Sequence, residues 1–281
     1  MVRLFEEATG APFSDGNRIQ RLRNGDEIFP AMLDAIGGAR ESVEFLTYVY
    51  WRGEIAQRFA HALAEKAREG VAVRVLLDAF GAAPMARSLI STMEDGGVIL
   101  RWFRPLKRFR LWRDLRRTHR KVLVADGEVG FTGGVGIATE WCGDARDHTE
   151  WRDTHFRIVG PAVRGLRAAF YGNWCEAVAE EGTAPSLAEA LAPGADAPPR
   201  PGNAMTQVVR SSATNGWSDV VAMTEIAIAS ARHNLRIGTA YFTPDEATTA
   251  ALVSAAARGV AVEVMLPWPH MDTRVSQLAG A

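Results

Sequence analysis

Thr118-His119-Arg120-Lys121-Val122-Leu123-Val124-Ala125-Asp126-Gly127, continued by Glu128-Val129-Gly130-Phe131-Thr132-Gly133-Gly134, is the stretch from which the rest of the chain can be read. It spaces a histidine, a lysine and an aspartate as H-x-K-x-x-x-x-D. Asp126-Gly127, set between two short apolar runs, predicts a tight hairpin turn. Residues two apart on an extended strand share a face, so His119 and Lys121 point one way and Val122 and Val124 the other. The expectation is a strand with one face for chemistry and one for the core.

Taken singly, these residues are ordinary: a strand histidine is commonly packed, a lysine solvated, and an aspartate before glycine a turn former. Together they suit phosphoryl chemistry. A neutral imidazole is a competent nucleophile toward phosphorus, and a lysine two residues along supplies positive charge where phosphate oxygens gather negative charge.

The chain resembles the phospholipase D superfamily, whose signature is this H-x-K-x-x-x-x-D followed by a small-residue phosphate-binding turn. Within it the bacterial cardiolipin synthase branch is the nearest in motif, through Gly16-Asn17-Arg18, Gly25-Asp26-Glu27, Phe131-Thr132-Gly133-Gly134, Trp151-Arg152-Asp153-Thr154-His155 and Gly160-Pro161-Ala162-Val163. The resemblance implies a phosphatidyltransferase that works through a phosphohistidine, with His119 as nucleophile, Lys121 as phosphate clamp, Asp126 as the structural turn of the catalytic set, and Gly133 and Gly134 cradling phosphate. It implies no metal and no cofactor. The family's turn carries Asn two residues after its second small residue; here that position is Gly136, which places one phosphate contact in question.

A histidine nucleophile needs its second ring nitrogen held by an acceptor. Downstream acids are Asp144, Asp147, Glu150 and Asp153. Asp153 is preferred, because it opens the expected strand Thr154 to Val159 and because relatives place an acid in this region; pairing with Arg152 or Arg157 is the equal alternative. His155 reads as structural. Asp78, at the end of an apolar strand, reads as a catalytic carboxylate or, at least as well, as a cap or turn residue.

Outward from the signature, strands and helices alternate. Helices are expected at Asp26 to Ala39, with Asp26 as cap, at Glu54 to Glu69, closed by Gly70, near Pro84 to Glu94, and at Pro161 to Glu176. Strands are expected at Val43 to Tyr50, Val71 to Leu77, Val98 to Phe103 and Thr154 to Val159. This rhythm indicates an α/β sandwich with a mixed or largely parallel sheet flanked by helices.

Between Arg101 and Lys121 a basic run mixes with aromatics. Lys107, Arg108, Arg110, Trp112, Arg113, Arg116 and Arg117 are its candidate interface residues, suited to a membrane surface or another anionic ligand. A solvated charged face is the default for such a run, and a nucleic-acid backbone would be attracted by the same residues.

The 281 residues carry 47% hydrophobic and 23% charged side chains with a net charge of -1, a composition that excludes overall disorder and permits one large or two ordinary domains. Two cysteines, Cys142 and Cys175, make no disulfide framework and favour a reducing interior. No window reaches the about 18 continuous apolar residues of a spanning helix, so the expected location is cytoplasmic and peripheral on the inner membrane face.

An Ala/Pro/Gly-rich stretch, 182–204, divides a first half (1–181) from the opening of a second (205–281). There Ala231-Arg232 with Leu235 to Phe242 answers Ala39-Arg40 with Val43 to Tyr50, and Gly259-Val260-Ala261-Val262 answers Gly70-Val71-Ala72-Val73. The superfamily's internal duplication implies a second signature, whose place would fall beyond residue 281. The expectation is a two-half protein with its second half incomplete, needing that missing half or a second copy to complete the site. The substrates implied are anionic phospholipids, phosphatidylglycerol and cardiolipin. The alternatives are a phosphodiesterase or endonuclease of the same fold acting on nucleic acid, and a non-catalytic membrane-binding module.

Overall fold

A computed structural model of the chain describes residues 1–105, 117–182, 199–211, 217–239 and 242–266. They form two compact units, one of Pro12–Asn215 and one of Met1–Ala11 with Gly216–Ala281.

In the larger unit, strand β1 (Phe13–Arg23) leads into helix α2 (Asn24–Gly38), counting Val2–Thr9 as α1. Helix α2 buries Ile28, Phe29, Met32 and Ile36 on one stripe. Its first turn carries Asp26 and Glu27, both favoured by the positive end of the helix. The N-cap is Arg23 and not Asp26; no side chain caps the helix, and the Glu27 carboxylate reaches back to accept from the Arg23 N–H at 2.8 Å. Then follow β2 (Ser42–Thr47), α3 (Glu54–Arg68), β3 (Ala72–Asp78), α4 (Arg87–Asp95) and β4 (Ile99–Phe103). Beyond them come β5 (Val122–Ala125), β6 (Val129–Gly133), β7 (Thr154–Val159), α5 (Val163–Glu180) and β8 (Ala204–Gln207).

The eight strands make one sheet in the order β4-β3-β2-β5-β6-β7-β1-β8. Strands β2, β3 and β4 are parallel, joined by helical crossovers; every other pairing is antiparallel. The sheet is therefore mixed, and the largely parallel arrangement holds only for the strand–helix–strand part.

Both faces are covered. Helices α2, α3 and α4 cover one face over a core containing Phe45, Phe59, Val75, Leu123 and Phe131. Helix α5 covers the other over Leu46, Leu76, Val122, Val124, Phe170 and Trp174. Alternate residues of β5 thus enter opposite cores, and the one-face-for-chemistry expectation fails from Val122 onward. The reactive residues lie just ahead of the strand.

Asp126 and Gly127 turn the β5–β6 hairpin with φ of 53° and 66°, left-handed at both central residues of the turn that the Glu128 N–H closes on the Ala125 carbonyl at 3.0 Å. The Asp126 carboxylate also accepts from the backbone N–H of Arg40, Glu41 and Ser42 at 2.8–3.1 Å, fastening the turn to the start of β2. Fully buried Asn17 similarly ties β1 to β8 and α5, donating to the Ala204 carbonyl and accepting from the Ala162 N–H.

Strand β8 belongs to the larger unit, so the 182–204 stretch ends on the sheet; its residues 183–198 lie outside the described set. The smaller unit comprises α1, α6 (Trp217–Ser230), β9 (Asn234–Gly238), α7 (Glu246–Ala257) and β10 (Ala261–Met265). Strands β9 and β10 are parallel, as β2 and β3 are, and α6-β9-α7-β10 repeats the order α2-β2-α3-β3. Among the described residues no helix is long and apolar enough to cross a membrane.

Candidate active site

The segment 117–121 brings His119 and Lys121 to the end of the sheet, and two buried polar residues, Asp78 and Asn173, hold it there. Asp78, the last residue of β3, has no exposed surface. Its carboxylate accepts from the N–H groups of Phe80 (2.9 Å), Gly81 (3.1 Å) and Thr118 (3.1 Å), with the Arg117 guanidinium 3.9 Å away. Burial pushes this carboxyl up, while those N–H groups and Arg117 oppose the shift. Asp78 is thus a turn residue that also anchors the residue before His119. On α5, buried Asn173 accepts from the Thr118 hydroxyl at 3.3 Å and from Arg120 at 2.7 Å, fixing the residues on either side of the histidine.

His119 is exposed at the cleft, with its ring centroid 4.6 Å from that of Tyr48. Lys121 Nζ lies 3.4 Å from His119 Nδ1, donates to the His119 carbonyl at 3.1 Å, and stands 5.7 Å from the Tyr48 ring centroid. Partial burial pushes the imidazole down to about 4, and the Lys121 charge adds to that. Burial likewise pushes Lys121 down to about 8, against the opposing charge of Asp153. At neutral pH the histidine is uncharged and the lysine largely an ammonium, the states that attack on a phosphodiester requires.

Asp153 does not hold His119 in this structure. Its carboxylate accepts from Trp141 Nε1 at 3.1 Å, from its neighbour Thr154 N–H at 2.6 Å, and from the Gly134 N–H. The reason is local packing: a Cβ built on Gly134 would lie 2.5 Å from the Asp153 carboxylate. Asp153 therefore supports the glycine turn and acts on Lys121 through charge.

His155 is buried beneath the same turn, and a Cβ on Gly133 would meet its Nδ1 at 2.4 Å. Burial pushes this imidazole down to about 3, so it is a neutral filler, as expected. Gly136, the departure from the family turn, has a packing cause: a Cβ there would lie 2.6 Å from that of Val49 and 3.1 Å from the Trp141 ring. No asparagine fits.

Within the basic run, Lys107, Arg108, Arg110, Trp112, Arg113 and Arg116 lie outside the described residues. Arg117, expected at the interface, turns inward instead: it donates to the Arg104 carbonyl at 2.7 Å, faces Asp78, and lies 5.8 Å from the Phe80 ring. Arg104 and Arg101, earlier in the run, pair with Glu176 and Glu181 of the α5 region. The described part of the run serves the fold. Asp126 sits at the far end of β5 from His119 and works only as the turn.

A cleft of about 340 Å³ opens at the site, lined by His119, Lys121, Thr132, Gly133 and the stretch 206–211, which runs from the last residues of β8 onward. A family model described as "Cardiolipin synthase, PLD-like domain" matches residues 32–145 and 225–279, which together bracket the signature and the repeated segment. The chain belongs to this family. It is 30% identical over 271 residues to cardiolipin synthase 1 of Bacillus anthracis, covering 95% of this chain and 53% of that protein. With cardiolipin synthase A of Pseudomonas fluorescens it shares 34% identity over 284 residues, covering 100% of this chain and 57% of the relative. The chain thus spans about half the length of the curated relatives it matches. The phosphatidylserine synthase of Haemophilus influenzae shares the fold, with a TM-score of 0.61 at 12% identity over 98% of this chain and 69% of that one.

Sequence reasoning missed Tyr48 and Asn173, although both bear on the family's signature residues in this chain. Asn173 stands out only as a polar residue inside the apolar stripe from Leu166 to Trp174. Tyr48 had no signal beyond its place one residue after β2.

Proposed function

We propose that the chain carries the first catalytic half of a cardiolipin synthase-type phosphatidyltransferase, acting on anionic phospholipids at a membrane surface. The observation that supports this best is His119, uncharged at neutral pH, open to the cleft and 3.4 Å from the Lys121 ammonium. The imidazole lone pair attacks phosphorus, an N–P bond forms, and the P–O bond to the leaving glycerol breaks. Lys121 balances the charge on the non-bridging oxygens. The hydroxyl of an accepting phospholipid then attacks phosphorus, the N–P bond breaks, its proton passes to a base, and the neutral imidazole returns.

The leaving alkoxide needs a proton. The 281 residues contain a single H-x-K-x-x-x-x-D, so the proton is assigned to a second signature, in the remainder of a longer chain or in a second copy. The loss of a general acid costs about 10²- to 10⁴-fold. The test therefore uses bis(p-nitrophenyl) phosphate, whose nitrophenolate leaves without a proton.

Phosphorus-31 NMR at alkaline quench should show an acid-labile phosphoryl adduct on His119, absent in His119→Asn. Its rate of formation should be steady between about pH 4 and about pH 8, falling below as the imidazole is protonated and above as Lys121 loses its proton. An adduct that survives in His119→Asn, or none in the native chain, sinks the reading.

A further inference from the structure

The cleft at His119 carries more positive charge than a single phosphodiester calls for. Besides Lys121 its walls include Arg120 and Arg210, and no carboxylate lines it. Arg120 is engaged in holding three backbone carbonyls and the Asn173 side chain. Its Nε donates to the Ser211 carbonyl at 3.1 Å, Nη1 to the Ala169 carbonyl at 3.1 Å and to Asn173 at 2.7 Å, and Nη2 to the Arg210 carbonyl at 2.5 Å. These bonds clamp residues 210 and 211 against α5, and in doing so plant the Arg210 side chain on the cleft wall.

Arg210 itself is exposed, and its guanidinium makes no hydrogen bond or ion pair with any described residue. Its charge, after the larger effect of burial, pushes the neighbouring Arg120 guanidinium down from its usual range. The Glu176 charge opposes that shift at Arg120 but no carboxylate lines the cleft beside Arg210, so an anion entering there offsets the repulsion between the two guanidinium groups. Lys121 already faces His119, and a phosphodiester there brings one negative charge. A guanidinium fork held on a separate element matches the two oxygens of another phosphate.

We propose that Arg210 binds a second phosphate group in this cleft, separate from the one that reacts at His119. The inference rests on the reading of His119 and Lys121 as a phosphate site. It gives that site a preference for substrates that bring two phosphates together, on one molecule or on a donor and an acceptor side by side.

Isothermal titration of the full chain tests it with three water-soluble probes: inorganic phosphate, glycerophosphoglycerol with one phosphodiester, and bis(glycerophospho)glycerol with two. The two-phosphate probe should bind about 10-fold more tightly than the one-phosphate probe, the scale of one charge-assisted contact. Arg210→Gln should erase that ratio and leave inorganic phosphate unchanged, and Arg210→Lys should retain part of it. Lys121→Gln should weaken all three.

A tenfold ratio that persists in Arg210→Gln overturns the proposal. So does an Arg210→Gln that weakens inorganic phosphate as much as the two-phosphate probe, since Arg210 would then serve the reacting phosphate. If inorganic phosphate and both esters fail to bind the native chain, the phosphate reading of Lys121 falls first and this inference falls with it.

Discussion

The β2–α3–β3 segment of the larger unit and the β9–α7–β10 segment of the smaller one share a plan and differ in their surroundings. Each sets two strands parallel across a helix, and each leaves that helix through a glycine with positive φ, Gly70 at 92° and Gly259 at 88°. In one register Glu44 stands opposite Arg74; in the matching register of the other, Arg236 stands opposite Glu263. The signs are exchanged. The first pair is buried inside an eight-stranded sheet, where Glu44 accepts from Arg167 at 3.1 Å and from the Tyr171 hydroxyl at 3.2 Å. The second pair, 2.9 Å apart, is largely exposed. The local plan is thus independent of burial, and in the covered copy the strand ends carry Tyr48 against His119 and Asp78 against the Thr118 N–H.

The largest effect that separates the two copies should come from the charges. Glu44→Ala leaves the Arg167 guanidinium without its buried carboxylate, which costs about 3–5 kcal/mol when one member of a buried pair is removed. Glu263→Ala removes a surface pair and should cost less than about 1 kcal/mol. Urea melts of the two variants measure this, and equal losses would erase the distinction between the segments.

Acid should strike the larger unit next. His155 has a folded pKa of about 3 against 6.5 for the free side chain, so above 6.5 it is neutral in both states. Below 6.5 the unfolded chain takes up a proton that the folded chain refuses until about pH 3, and stability falls across that window. His119, pushed down to about 4, acts with the same sign. Protection factors for amide exchange in the larger unit, corrected for the slower intrinsic exchange in acid, should fall as pH drops below 6.5, and His155→Gln should flatten the slope. An unchanged slope in that variant assigns the acid sensitivity elsewhere.

Asp78→Asn should be milder. The amide puts a donor against one of three backbone N–H groups, an unsatisfied contact of about 1–3 kcal/mol. Because Asp78 positions Thr118 and not the substrate, the rate of adduct formation at His119 should fall about tenfold, about 1.4 kcal/mol of barrier, while the affinity for inorganic phosphate stays the same. A matching loss of affinity would make Asp78 part of the binding machinery.

How far the chain could be read beforehand follows the same contrast. Helices α2 and α3 and strands β2 and β3 fall within a few residues of their expected limits, because apolar spacing is a local signal that burial then satisfies. Strand direction is not local. The short Asp126-Gly127 turn announced one antiparallel pair, but nothing in β7 or β1 says which neighbour each will take. Strand β1, with Asp15, Asn17, Arg18, Gln20, Arg21 and Arg23 among its eleven residues, is too polar to read as a strand at all. At the site, His119, Lys121 and Gly133 line one cleft, as their nearness in sequence and the family signature lead one to expect of neighbours on a hairpin. The partners of Asp153 were not legible, since they depend on where Trp141 and Gly134 pack around it.

The smallest effect tests the shared plan itself. A Cβ at Gly70 or at Gly259 would meet nothing within 4 Å, so an alanine at either place is opposed by the backbone alone. The cost of a left-handed conformation for a residue with a Cβ is about 1–2 kcal/mol, and it should be the same for Gly70→Ala and Gly259→Ala despite the different depth of the flanking strands. Each loss is best read by hydrogen exchange from the helix that the glycine closes, α3 or α7, because the two units need not open together. Equal losses would show that the turn is a local device that the chain uses twice. A Gly70→Ala loss several times larger would mean that the sheet around β3 also constrains the turn, and the two segments would then be alike in outline only.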